Sequence, residues 1–165
     1  MTVAASPAQS GAFGEPAVHV LRQFRLVFNA VKTHFQQVEK RAGVGGAQVW
    51  ALSVIRANPD IGVGELSRAM DIHQTTASNL VRALVGSQMI AAQRNGPDRR
   101  AVQLRILPAG TRVLRKAPGP FTGVLPDALV RLDAATLERL AHDLAILITV
   151  LRADARGARV PLGQT

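Results

Sequence analysis

A chain of 165 residues with 47% hydrophobic content is long enough and apolar enough to bury one core. It has no cysteine, which excludes disulfides, Cys-ligated zinc and thiol redox chemistry. The net charge of +9, from 20 basic and 11 acidic residues, suits a polyanion, either nucleic acid or an anionic membrane surface.

The first residues, MTVAASPAQSGAFGEPA, lack the basic and continuous apolar regions of a secretory signal. No apolar run reaches the length needed to cross a bilayer, so a cytoplasmic protein with no membrane partner is expected. Residues 1–16 are small, polar and Gly/Pro-bearing, and read as a flexible tail. From Ala17 the pattern turns helical. Phe24, Phe28, Val31, Phe35 and Val38 step by four, three, four and three residues, which lays one apolar seam along a helix. Gly43, Gly45 and Gly46 end it. A second helix is expected over Ala47 to Ala57, stopping at Asn58-Pro59.

A short helix over Val63 to Met70 and a turn at Asp71-Ile72 come next. A further helix is expected from Gln74 to Val85. Its Ala77, Leu80, Val81 and Leu84 form a buried stripe, and Gln74, Thr75, Ser78, Asn79 and Arg82 lie on the opposite face. Two short β-prone runs, Met89 to Arg94 and Ala101 to Leu107, flank the turn-forming NGPDRR and predict a hairpin with a basic tip. Alternation puts Val102, Leu104 and Ile106 on one face of the return strand and Gln103 and Arg105 on the other. A helix through Thr111 to Ala117 is broken by Pro118-Gly119-Pro120. A last long helix starts at Asp133, a good N-cap residue. Its Leu137, Leu140, Leu144, Leu147 and Leu151 repeat the three-four spacing of a coiled-coil seam. From Gly157 onward the chain is expected to fray.

The expected class is mainly α (α+β), with a winged helix-turn-helix lobe between two seam-bearing helical regions. Residues 17–155 form one domain, in which 17–45 and 108–155 supply dimerisation helices and 46–107 the winged lobe. Residues 156–165 form a C-terminal tail. The middle section is too small to cover both terminal seams, so a homodimer is the simplest way to bury Phe24, Phe28, Val31, Leu137, Leu140, Leu144, Leu147 and Leu151.

VGELSRAMDIHQTTASNLVRAL, with Leu66, Ile72, Thr76, Ser78 and Leu84, and PDRRAVQLRILPAG, with its Asp-Arg-Arg tip and following Gly110, resemble the MarR family of winged-helix transcriptional regulators. The resemblance implies a dimer that binds palindromic double-stranded DNA, usually as a repressor. It also implies relief by a small, often aromatic, effector bound between the dimerisation region and the winged lobe. The chain departs from the family pattern at four places. His73 stands where a capping Ser is frequent, Asn79 and Ala92 stand where Arg is common, and Leu107 replaces a frequent Thr.

Seven arginines and no lysine supply the positive charge between Gly62 and Arg112. Arginine gives planar, bidentate contacts to guanine and phosphate. Gln74, Ser78 and Asn79 are therefore expected at base edges, and Thr75 and Arg82 at bases or backbone. Arg94 is placed at phosphate and Arg99 or Arg100 in a minor groove, with Asp98 fixing the tip. His34 and Trp50 are the candidates for an effector pocket, although a tryptophan in an apolar helix is more often plain core and His34 reads as a surface or interface residue. His19, His34, His73 and His142 show no metal-ligand spacing, and no nucleophile or paired-carboxylate arrangement is legible, so neither cofactor, metal nor enzyme activity is expected. The alternative to DNA binding is a winged helix reused as a protein-interaction or dimerisation module.

Overall fold

The computed structural model describes residues 14–94 and 102–162. The first helix, α1 (Glu15–Ala42), begins two residues earlier than the seam alone indicates, with a proline in its first turn. It ends at Gly43, whose φ of +74° is a left-handed conformation natural to glycine, with its N–H on the Glu39 carbonyl. Helix α2 (Gly46–Ala57) is the centre of the core and buries Val49, Ala51, Leu52 and Ile55. Helices α3 (Val63–Ala69) and α4 (Gln74–Gly86) form the helix-turn-helix. Glu65 accepts a hydrogen bond from the Gly62 N–H at 2.8 Å and so holds the start of α3. Ala77, Leu80, Val81 and Leu84 are the buried stripe of α4, on the expected face.

Strands β1 (Ile90–Gln93) and β2 (Gln103–Ile106) pair antiparallel, with Ile90 opposite Ile106 and Gln93 opposite Gln103. Leu104 is fully buried, and Arg105 points to solvent. A second edge holds β2. The Leu104 N–H donates to the Ile61 carbonyl at 3.0 Å, and the Leu104 carbonyl accepts from the Asp60 N–H at 3.0 Å. The segment between α2 and α3 therefore acts as a third short strand.

Helix α5 (Pro108–Lys116) packs on α2 and buries Gly110, Val113 and Leu114. A short helix α6 (Val124–Leu129), which the hydrophobic pattern does not announce, leads to α7 (Ala134–Leu151). The Asp133 side chain caps α7 as expected, accepting from the Thr136 N–H at 2.9 Å. The fraying expected from Gly157 is not seen over the described residues, which end at 162. Ala155–Arg159 is a 3-10 helix, and Pro161 beyond it is buried. The core is continuous through α2, α3, α4, the two strands and α5, with Val38 as the contribution of α1. No residue of α7 is buried.

Among the described residues, no helix is long and apolar enough to cross a membrane, and no group of three ligating side chains could hold a metal ion.

Candidate nucleic-acid interface

Burying the apolar stripe of α4 turns its other face outward. Gln74, Thr75, Asn79 and Arg82 are exposed there. The Arg82 guanidinium donates to the Asn79 side-chain oxygen at 3.0 Å, which steadies both polar heads on the outer surface. Ser78 differs from its neighbours. It is half-buried, and its hydroxyl donates to the Gln74 carbonyl at 2.8 Å, so its hydrogen is turned back into the helix. Arg94 is exposed just beyond the end of β1. Arg99 and Arg100, with Asp98, lie outside the described residues.

The wing is tied to the helix-turn-helix by an ion pair that the sequence does not signal. Arg105 on β2 donates twice to Asp60, at 2.5 and 2.8 Å. Asp60 sits at φ +69°, a conformation that Asp and Asn tolerate better than most residues. The Arg105 hydrogen bond is the main reason the Asp60 carboxyl titrates below its ordinary range. Because the folded pKa is lowered, this contribution to stability is fully present above the unfolded carboxylate value and is lost as pH falls through the folded one. Asp60→Asn keeps the backbone preference and removes only the charge. The wild-type Tm is expected to fall more steeply than that of Asp60→Asn on acidification below about pH 4. Parallel Tm-against-pH curves would show that the pair does nothing.

The start of α4 has an unusual arrangement. Its N-cap residue is His73, which makes no side-chain cap bond. Instead the His73 N–H donates to the Arg159 carbonyl at 3.3 Å, and its Nε2 lies 3.4 Å from the Arg156 carbonyl.

Behind the winged lobe lies a small, open apolar cleft. Val31 and Phe35 of α1, Trp50 of α2, and the segment from Thr122 to Pro126 form its walls, and Pro161 and Leu162 border it. Trp50 therefore lines a cavity. His34 does not, and the reading of it as a surface residue is corrected. It is 6% exposed, its ring tilted at 59° to that of Phe35 with centroids 5.8 Å apart, and it is hydrogen-bonded to the Pro120 backbone. Burial is the main influence on its pKa and lowers it. The imidazole sits on the inner side of α1 because the segment after α5 folds over it, a long-range contact that the seam spacing cannot reveal.

The two seams divide differently from one another. In α1, Val38 is buried and Val31 and Phe35 are half-buried against the chain's own lobe. Phe24 and Phe28 stack on each other at 6.1 Å, and Phe28 is 66% exposed. In α7, Leu137 and Leu147 are half-buried, whereas Leu140, Leu144 and Leu151 are exposed, together with Ile146, Ile148 and Val150.

A helix-turn-helix closed by a two-stranded hairpin, with long flanking helices, defines a winged-helix protein. Residues 42–101 match the model of the MarR family. Over that segment the chain is similar in sequence to the MarR family, and its described residues have the winged-helix fold. Solved structures with the same fold include the YusO protein from Bacillus subtilis, 20% identical with a TM-score of 0.52, over 83% of this chain and 99% of that one. BldR from Sulfolobus solfataricus is 17% identical with a TM-score of 0.52, over 82% and 96%. FabT from Streptococcus pneumoniae, solved in complex with DNA, is 16% identical with a TM-score of 0.52, over 82% and 97%. A search of the curated proteins finds no match.

Proposed function

We propose that the protein is a homodimeric, sequence-specific transcriptional regulator that represses by binding palindromic double-stranded DNA and is released by a small aromatic effector. The observation that carries the reading is the outer face of α4. It is a polar face of Gln74, Thr75, Asn79 and Arg82, held by an apolar stripe, beside a wing that carries Arg94 and Arg105. Gln and Asn suit adenine, and Arg suits guanine or phosphate. The DNA complex of the similarly folded FabT supports this docking.

Residues 17–45 and 108–155 supply the dimer frame, and 46–107 the reading head. In a dimer of this kind, the two α4 helices must stand about one DNA turn apart, roughly 34 Å, to enter successive major grooves. An effector in the cleft beside Trp50 lies between frame and head, and it shifts the equilibrium only by binding one geometry better than the other. Aromatic and aliphatic walls favour an apolar ring.

The test is a titration against duplex DNA from the chain's own upstream region, at several salt concentrations. Arg82→Ala is expected to weaken specific binding about tenfold and to reduce the salt slope by about 0.9 if Arg82 meets a phosphate. An unchanged affinity and slope removes Arg82 from the interface. The double Arg99/Arg100→Ala variant probes the wing tip in the same assay. Absence of a specific complex for the wild type would favour the interaction-module reading instead.

A further inference from the structure

The segment after α7 touches two places that matter for the proposed regulation. Asp154 opens it, accepting from the Arg156 N–H at 2.9 Å and so stabilising the 3-10 helix Ala155–Arg159. That helix presents the carbonyls of Arg156 and Arg159 to His73, the N-cap residue of α4, which makes no side-chain cap bond. Two residues beyond Arg159, Pro161 is buried at the apolar cleft that contains Trp50 and Phe35.

We propose that residues 154–162 are a built-in strap. Pro161 occupies the cleft as an apolar ligand would, and the carbonyls of Arg156 and Arg159 clasp the start of α4. A small apolar molecule enters the cleft by displacing Pro161, and that displacement unclasps His73.

Three physical points carry the coupling. Arg159 and Pro161 are two residues apart, so fully extended chain between them spans at most about 7 Å, and Pro161 cannot leave the cleft far without pulling on the clasp. The contacts of 3.3 and 3.4 Å are long for hydrogen bonds, so the clasp is weak enough for a ligand to break. The first N–H groups of a helix need partners, and α4 has no side-chain cap at His73, so occupation by the strap changes the order of its first turn. That turn begins with Gln74 and Thr75. The consequence for DNA rests on the proposed function, but the strap itself does not.

The full chain allows both ends to be read separately. Trp50 is the only tryptophan, so energy transfer from it to the apolar dye 8-anilinonaphthalene-1-sulfonate reports dye in the cleft. Hydrogen exchange at the His73 amide reports the clasp. Pro161→Asp expels the strap because a carboxylate is disfavoured among apolar walls. It is expected to raise dye affinity about tenfold and to quicken His73 exchange by a similar factor, with Leu52 and Leu84 amides unchanged.

His73→Pro works from the other end. The φ of −63° already fits proline, and the substitution removes both the N–H and the imidazole. Because coupling is reciprocal, it is expected to raise dye affinity in the cleft several-fold without touching the cleft. Equal dye affinity in wild type and Pro161→Asp, zero binding included, overturns the occupancy. Unchanged His73 exchange in Pro161→Asp, or unchanged dye affinity in His73→Pro, overturns the coupling. Should both readouts move while no variant binds DNA specifically, the strap stands and the DNA reading alone fails.

Discussion

Gly110→Ala is expected to destabilise the protein by about 3 kcal/mol and to lower Tm by about 6–12 °C. Gly110 lies in the first turn of α5, where the helix crosses β1 and α2. A Cβ at this position would sit 2.4 Å from the Met89 carbonyl oxygen, 2.9 Å from Ile106 Cγ1 and 3.0 Å from Leu52 Cδ2. The nearest of these is backbone, and it is engaged. The Met89 carbonyl accepts the Leu107 N–H at 2.9 Å and so ties the entry to β1 to the end of β2. Neither a rotamer change nor a small side-chain shift relieves the overlap, so α5 must lift from the wing. Leu52 is fully buried and packs from the opposite side, which leaves little room for the helix to move. Gly64→Ala is the control. Its Cβ would meet only the Arg68 side chain, at 3.7 Å, and alanine favours a helix over glycine by about 1 kcal/mol at most. Urea unfolding of the two variants therefore should give opposite signs or at least very different magnitudes. A loss below about 0.5 kcal/mol for Gly110→Ala would mean that the close approach is not a constraint.

The same glycine belongs to the motif by which the sequence resembles the MarR family, and its packing supplies the physical reason for that motif. The winged lobe was legible because its information is local. Periodicity placed α2, α3 and α4, the apolar stripe of α4 fixed which face turns outward, and the turn-former cluster split β1 from β2. The Asp133 cap was legible for the same reason. What the sequence left unseen depends on contacts between distant segments. Asp60 meets Arg105 across 45 residues, and nothing near Asn58-Pro59 distinguishes that aspartate from a turn former. Helix α6 is six residues long and holds a proline, too short for a period to register. His34 shares the polar flank of its helix with surface residues and becomes buried only because Pro120 is folded over it. The C-terminal residues look frayed by composition, yet Pro161 is covered because a cleft formed by α1, α2 and the α5–α6 connection lies within reach.

Leu144→Glu is expected to convert the protein to a monomer at micromolar concentration and to weaken operator binding by about a hundredfold or more. In the single chain, α7 is 18 residues long and buries none of them. Leu144 is 40% exposed, Leu140 39% and Leu151 65%, with Ile148 and Val150 beside them. An exposed apolar face of this extent on an otherwise packed protein is a surface for association. The exposed half of the α1 seam, at Phe24 and Phe28, is chemically matched to it, and in the proposed homodimer a second copy of the chain would bring both seams together. A glutamate in the middle of such a seam must be buried unpaired or keep the helices apart, and separation is the cheaper outcome. The winged lobe should survive, because its core runs through α2, α3, α4, the strands and α5 and takes nothing from α7. Circular dichroism should thus stay helical, while sedimentation shows half the mass. The loss in DNA affinity follows from geometry. A dimer reads two half-sites with the second binding event made intramolecular, and a monomer has to bind each half-site on its own. Retention of the dimer in Leu144→Glu places the interface elsewhere. A folded monomer with undiminished affinity would show that one reading head is sufficient and that the palindrome is not what is recognised.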